Sequence, residues 1–129
     1  MRVAISSQGK RRDAPVEPWF GRAAYFLITD TDSTVFDAIE NERRGKTLEI
    51  DEIQAAQLVI DAGVEAVLTG NCGFAARRML AGAGVRLFQS MPGTVKENIE
   101  QFIAGQLLEV PAPGLRQPVE AGVTKDQEV

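Results

Sequence analysis

Hydrophobic positions fall into short strand-like runs in the first third of the chain and into helix-spaced sets afterwards. Arg2 to Ser6 is a compact β-type run carrying Val3, Ala4 and Ile5. Ala24 to Asp30 carries Tyr25, Phe26, Leu27 and Ile28. Thr34 to Ile39 follows, with Val35 and Ile39 on one face. The short turn Thr31-Asp32-Ser33 predicts that the second and third strands form an antiparallel hairpin. From about Asp51 to Ala62 the period changes. Ile53, Ala56, Val59 and Ile60 recur as one helix face, Asp51 with Gln54 reads as the cap, and Gly63 as the stop. Glu65 to Thr69 is a fourth strand. Phe74 to Ala81 is a second helix, with Ala75, Ala76, Met79 and Leu80 on its apolar face. Ala83-Gly84-Val85 echoes Ala62-Gly63-Val64, so helix end, glycine and strand start occur twice, and Val85 to Phe88 is a fifth strand. Thr94 and Glu97 spell a capping box, Val95, Ile99, Phe102 and Ile103 form a third helix face, and Gly105 ends it. The order is β-β-β-α-β-α-β-α. It predicts a single α/β domain with a mixed five-stranded sheet flanked by three helices and right-handed crossovers.

Between these elements lie polar or broken stretches. Ser6-Ser7-Gln8-Gly9-Lys10 is a turn cluster, and Arg11 to Gly21 is a loop containing Pro15 and Pro18. Trp19 and Phe20 close that loop, either by folding it back on the body or by lining a pocket. Glu40 to Lys46 reads as a charged surface loop. After Val110 come Pro111, Pro113, Gly114 and Pro118 and then a charged end. This places the domain at residues 1–110 and a flexible tail at 111–129.

Composition narrows the function. With 129 residues, 44% hydrophobic and 25% charged, the chain suits one globular core. A formal charge of −4, with basic residues scattered apart from Lys10-Arg11-Arg12 and Arg43-Arg44, argues against nucleic acid as a partner. No run is long enough to span a membrane, so no membrane role is expected. A single cysteine cannot close an internal disulfide, which suits a reducing compartment and a cytoplasmic location. Histidine is absent, which removes His-based metal sites, triads and general bases.

The stretch that carries chemistry is Ala66 to Leu80, read as buried strand, tight loop and helix. Ligands in open α/β sheets sit where strand C-termini meet helix N-termini. Thr69, Gly70, Asn71, Cys72 and Gly73 lie at such a junction. The glycines let backbone approach a ligand, the amides attract anions, and a cysteine there is expected to have a stabilised thiolate able to ligate a soft metal. The competing reading makes Cys72 a small buried residue. If the first strand neighbours the fourth, Ser6, Ser7 and Gly9 face this loop across one mouth. Ser6 and Ser7 would then donate to the same ligand, and Arg22 could add positive charge; otherwise these are an ordinary turn and a surface arginine. Glu49, Asp51 and Glu52 read as residues favoured by the dipole of their own helix, leaving Cys72 as the sole candidate nucleophile.

Ser6-Ser7-Gln8-Gly9, Pro18-Trp19-Phe20-Gly21-Arg22-Ala23, Gln54-Ala55-Ala56-Gln57-Leu58, Thr69-Gly70-Asn71-Cys72-Gly73, Ala83-Gly84-Val85 and Gly93-Thr94-Val95 occur in an order that resembles the dinitrogenase iron-molybdenum cofactor biosynthesis family over about residues 1–108. That family includes the NifX and NafY carriers, the C-terminal part of some NifB proteins and the molybdenum-copper orange protein. The resemblance implies a ribonuclease H-like fold and non-catalytic, transient binding of an iron-molybdenum or other metal-sulfur cluster, with metallocluster assembly proteins as partners. Where carriers use histidine this chain has none, and Phe74 stands where relatives often have proline. Cluster binding would therefore fall to backbone amides and to Cys72 as the metal ligand. The alternatives are a regulatory or interaction module without a cluster, and an enzyme that uses Cys72.

Overall fold

In the computed structural model, which describes residues 1–42 and 44–113, the expected order of strands and α-helices is present with one added strand. β1 (Arg2–Ser7), β2 (Tyr25–Asp30) and β3 (Phe36–Glu40) are followed by α1 (Leu48–Asp61), β4 (Ala66–Thr69), α2 (Phe74–Gly82), β5 (Arg86–Gln89), α3 (Val95–Ile103) and β6 (Glu109–Val110). Among the described residues the sheet has six strands, not five, in the order β3-β2-β1-β4-β5-β6. The additional strand is two residues long, antiparallel to β5, and too short for periodicity to reveal. β1, β4 and β5 run parallel, while β2 and β3 are antiparallel neighbours, as the short turn between them predicts.

Alternation along the strands divides the core. Ala4, Phe26, Ile28, Val67 and Leu87 face α1 and α2, together with Ala55, Ala56, Val59, Ala76 and Leu80. Val3, Ile5, Leu27, Leu68 and Phe88 face α3 through Val95 and Ile99. Full burial of each large aliphatic or aromatic side chain stabilises the fold by roughly 1.5–3 kcal/mol. The tail expected at 111–129 lies, from residue 114 onward, outside the described residues.

Three local expectations are corrected. α1 starts at Leu48, with Thr47 as its cap through a bond from the Ile50 amide, one turn before Asp51. Asp51 is itself buried and accepts from the Gly45 and Lys46 amides, which folds the charged loop onto the helix. The buried stripe accordingly runs through Glu52, Ala55, Ala56 and Val59, and Ile53 is exposed. On β3, Phe36 and Ile39 pack on opposite faces of the sheet, while Val35 precedes the strand and is exposed. Asn41, inside the loop expected at the surface, is buried and donates to the carbonyl of Ala23.

Candidate functional site

A cleft of about 360 Å³ opens at the C-terminal ends of the parallel strands, within the size range of small-ligand sites. Its walls come from three junctions. Gln8, Pro15, Val16 and Pro18 follow β1, Gly70 and Asn71 follow β4, and Gln89, Ser90, Met91, Pro92 and Gly93 end or follow β5. β1 and β4 are adjacent, so the expected mouth exists. The loop after β1 is stitched in place by Gln8 N–H to Pro15 O at 3.0 Å and Val16 N–H to Gly93 O at 2.9 Å. The loop after β5 is pinned by buried Asn98. Its Oδ1 accepts from the Met91 amide at 2.8 Å, and its Nδ2 donates to the Met91 and Thr94 carbonyls.

The sequence-derived site residues divide between two places. Gly70 and Asn71 line the cleft. Gly70 is required there, because a Cβ would stand 2.7 Å from the Pro18 carbonyl oxygen. Asn71 exchanges backbone bonds with the loop, donating to Pro18 O and accepting from the Phe20 amide. Ser6 and Thr69 lie beneath the cleft and are buried. Ser6 donates its only hydroxyl proton to Glu17 O, so in the 2.7 Å pair with Thr69 the threonine is the donor. The Thr69 proton thus ties the ends of β4 and β1 together, and the Ser6 proton ties β1 to the loop that follows it. Ser7 is buried too, and its Oγ is paired with the carbonyl and amide of Gly9. Phe20 folds into the core, whereas Trp19 remains 46% exposed beside Asn71. Arg22 is exposed on the short 3-10 turn Phe20–Arg22 and is not among the cleft residues.

Cys72 and Gly73 turn the other way, toward α1. Cys72 is half-buried against the α1/α2 side of the core. Its thiol is pushed up to about 12 by burial and by the Glu52 carboxylate, with Arg77 opposing weakly. The stabilised thiolate expected from a helix N-terminus is therefore not what this loop provides. Burial is the larger reason and Glu52 the second. From the buried face of α1 it accepts the Gly73 amide and so places its own carboxylate at the start of α2. A carboxyl group of the chain's own thus occupies the amide at the start of α2. Burial raises the Glu52 pKa, and bonds from the Gly73 and Gly21 amides partly offset this. A Cβ on Gly73 would lie 2.5 Å from Glu52 Oε1, and one on Gly21 2.8 Å from Glu52 Cγ, which explains both glycines.

Sequence reasoning missed Glu52 in this role, and it missed Gln8, Gln89, Ser90 and Met91. The last three had a usable signal, since they end or follow a parallel strand just as Gly70 and Asn71 do.

The model of the family described as dinitrogenase iron-molybdenum cofactor matches residues 1–105. The chain belongs to this family. The apo form of the orange protein from Desulfovibrio gigas is similar at 30% identity and a TM-score of 0.81, covering 88% of this chain and 95% of that one. A protein from Thermotoga, provisionally assigned as NifB, shares 34% identity at a TM-score of 0.71, over 91% of this chain and 98% of its own. A provisionally assigned dinitrogenase from Methanocaldococcus jannaschii, 21% identical with a TM-score of 0.67, covers 88% of this chain and 97% of its own and shares the fold. No curated protein sequence matches significantly. Among the described residues no helix is long and apolar enough to cross a membrane.

Proposed function

We propose that this member of the dinitrogenase iron-molybdenum cofactor family is a non-catalytic carrier. On a ribonuclease H-like frame it would receive an anionic metal-sulfur species in the cleft between the loops after β1, β4 and β5. Metallocluster assembly proteins would be the partners that deliver and collect this cargo. The observation that carries the reading is the cleft's lining. Exposed amide side chains of Gln8, Asn71 and Gln89 and the exposed Met91 thioether stand around a backbone-rich floor. Such walls suit a cargo that brings its own sulfides, because amides donate to sulfide and thioether is a soft neighbour. No group of three or more His, Cys, Asp or Glu stands ready for a bare ion among the described residues.

This reading puts the cargo with Gly70 and Asn71 and leaves Cys72 out of the ligand set, because Cys72 is not among the cleft residues and packs against the α1/α2 side of the core. Anaerobic titration with tetrathiomolybdate, followed by its visible absorption bands, tests it. Asn71→Ala and Met91→Ala together are expected to weaken binding at least about tenfold, equal to ~1.4 kcal/mol. Cys72→Ser is expected to leave binding unchanged. The reverse pattern would move the site to Cys72, and absence of binding by the native protein would overturn the carrier reading for this cargo.

A further inference from the structure

β3 is an edge strand that, among the described residues, pairs only with β2. Its hydrogen-bonding pattern fixes which groups face outward. The Asn41 amide donates to Ala24 O at 3.0 Å, and in the same register β2 and β3 pair Phe26 with Ile39 and Ile28 with Asp37. Antiparallel ladders alternate between bonded and non-bonded pairs. The main-chain groups of Asp37, Ile39 and Asn41 therefore point to β2, and those of Phe36, Ala38 and Glu40 point away from the sheet. Side chains alternate in step. Phe36 packs on the face covered by α3, so Ala38 and Glu40 project on that face, while Ile39 packs on the opposite one.

Beside Phe36 on that same face is a cationic cleft of about 520 Å³, lined by Lys10, Arg11, Arg12, Asp13, Thr34, Phe36 and Lys96. Its cations are held on a fixed frame. Lys96 N–H donates to Arg12 O at 2.8 Å and Val95 N–H to Ala14 O at 3.0 Å, which ties the loop to the first turn of α3. The acids nearby are Asp13, 3.7 Å from Arg11, and Glu100, 3.8 Å from Lys96, both highly exposed. The chain as a whole carries −4, so this is a local reversal of sign.

We propose that β3 is the docking edge for a second copy of this chain, paired antiparallel about a two-fold axis at Ala38. That register alone opposes Ala38 to Ala38, Phe36 to Glu40 and Asp37 to Ile39. Each opposed pair that includes Phe36, Ala38 or Glu40 is then a bonded pair, so every outward amide and carbonyl of the strand finds a partner. The smallest side chain on the strand stands at the axis, where the two copies come closest. No acid lies directly opposite an acid, although charge on edge strands ordinarily keeps strands apart. Glu40 of each copy arrives opposite Phe36 of the other, on the face where Lys10, Arg11, Arg12 and Lys96 gather. The interface is isologous and closes as a dimer. The carrier cleft lies at the ends of β1, β4 and β5 and stays open in both copies.

A single strand edge buries less than a standard interface, so the dimer is weak and sensitive to salt. Sedimentation equilibrium from about 10 to 500 µM, at low and high salt, is expected to show a monomer–dimer equilibrium that weakens roughly tenfold as salt rises. Ala38→Pro removes the outward N–H without touching the β2 ladder and should abolish dimerisation while leaving the circular dichroism spectrum native. Glu40→Lys should weaken the dimer, and mixing it with Arg11→Glu/Arg12→Glu should restore a heterodimer. Opposed bonded residues have Cα atoms about 5.5 Å apart, within disulfide range. Ala38→Cys in a Cys72→Ser background should therefore form a disulfide dimer on mild oxidation, far faster than Asp37→Cys does. A chain that stays monomeric at 500 µM in low salt would overturn the proposal. So would self-association that survives both Ala38→Pro and Glu40→Lys, or equal cross-linking at positions 38 and 37.

Discussion

The side chain that organises the loop between β4 and α2 is Glu52, and it does so from a different element. Its carboxyl group accepts the Gly73 amide, its atoms leave no room for side chains at Gly21 and Gly73, and it adds to the burial that raises the Cys72 pKa. Because burial raises the Glu52 pKa, the fold favours the neutral acid. That contribution is fully present below the ordinary carboxylate range and is lost as pH rises through the folded-state value. Glu52→Gln keeps the shape and acceptor but cannot titrate. The wild type should therefore gain stability relative to Glu52→Gln as pH falls from neutral into the carboxylate range. Thermal melts of both proteins across that range check this; Asp30 and Glu109, whose pKa values are lowered, are common to both and cancel in the difference. A difference that is flat or moves the other way would contradict the buried-acid account. The same variant should alkylate faster at Cys72, since one of the two causes that raise the thiol pKa is gone. Sequence could not reveal this role: Glu52 and Gly73 are 21 residues apart, and an acid in the first turns of a helix has an adequate local explanation. Gly73→Val, the obvious probe of the loop, would displace Glu52 and so report on the fold before it reports on any ligand.

Elements whose signals are local were legible, and those that depend on distant partners were not. α3 is the clear case. Thr94 Oγ1 accepts the Glu97 amide at 3.1 Å, and Glu97 Oε1 accepts the Thr94 amide at 2.9 Å, the reciprocal cap that the sequence spells. Thr94→Ala should cost ~1 kcal/mol by chemical denaturation. In a double-mutant cycle the combined loss with Glu97→Ala should be smaller than the sum, because either change alone breaks the box. Strict additivity would mean that the two bonds act separately. The cap of α1 was misplaced for a physical reason. Asp51 is a good capping residue, but its carboxylate serves the Gly45 and Lys46 amides of the incoming loop, and Thr47 caps one turn earlier. β6 left no pattern, since two residues cannot show alternation and its order comes from β5.

At the scale of the molecule, the position of the mouth followed from strand adjacency, whereas the side chains that wall it depended on how the loops after β1 and β5 fold over it. The boundary of the folded unit is also set by tertiary contacts. The family model stops at residue 105, yet the chain continues to add structure. Leu107 is buried against the α3 side of the core, Leu108 O accepts the Gln89 amide at 2.8 Å, and Glu109 takes two bonds from Arg86 at 2.8 and 3.0 Å. Val110 packs on the opposite face of the sheet. Pro111 and Ala112, in contrast, are exposed. Two shortened chains separate these contributions. A chain ending at Val110 should melt within about 2 °C of the full-length protein, since it keeps every contact just named. A chain ending at Gln106 loses the buried Leu107, the edge strand and the ion pair. Loss of one buried leucine alone is worth ~2 kcal/mol or more, and each 1 kcal/mol moves the midpoint of a domain this size by roughly 4–8 °C. Its melting temperature should therefore fall by about 10 °C. A fall of that size already at the Val110 truncation would mean that residues beyond 110 pack on the domain, and would move the boundary of the folded unit past them.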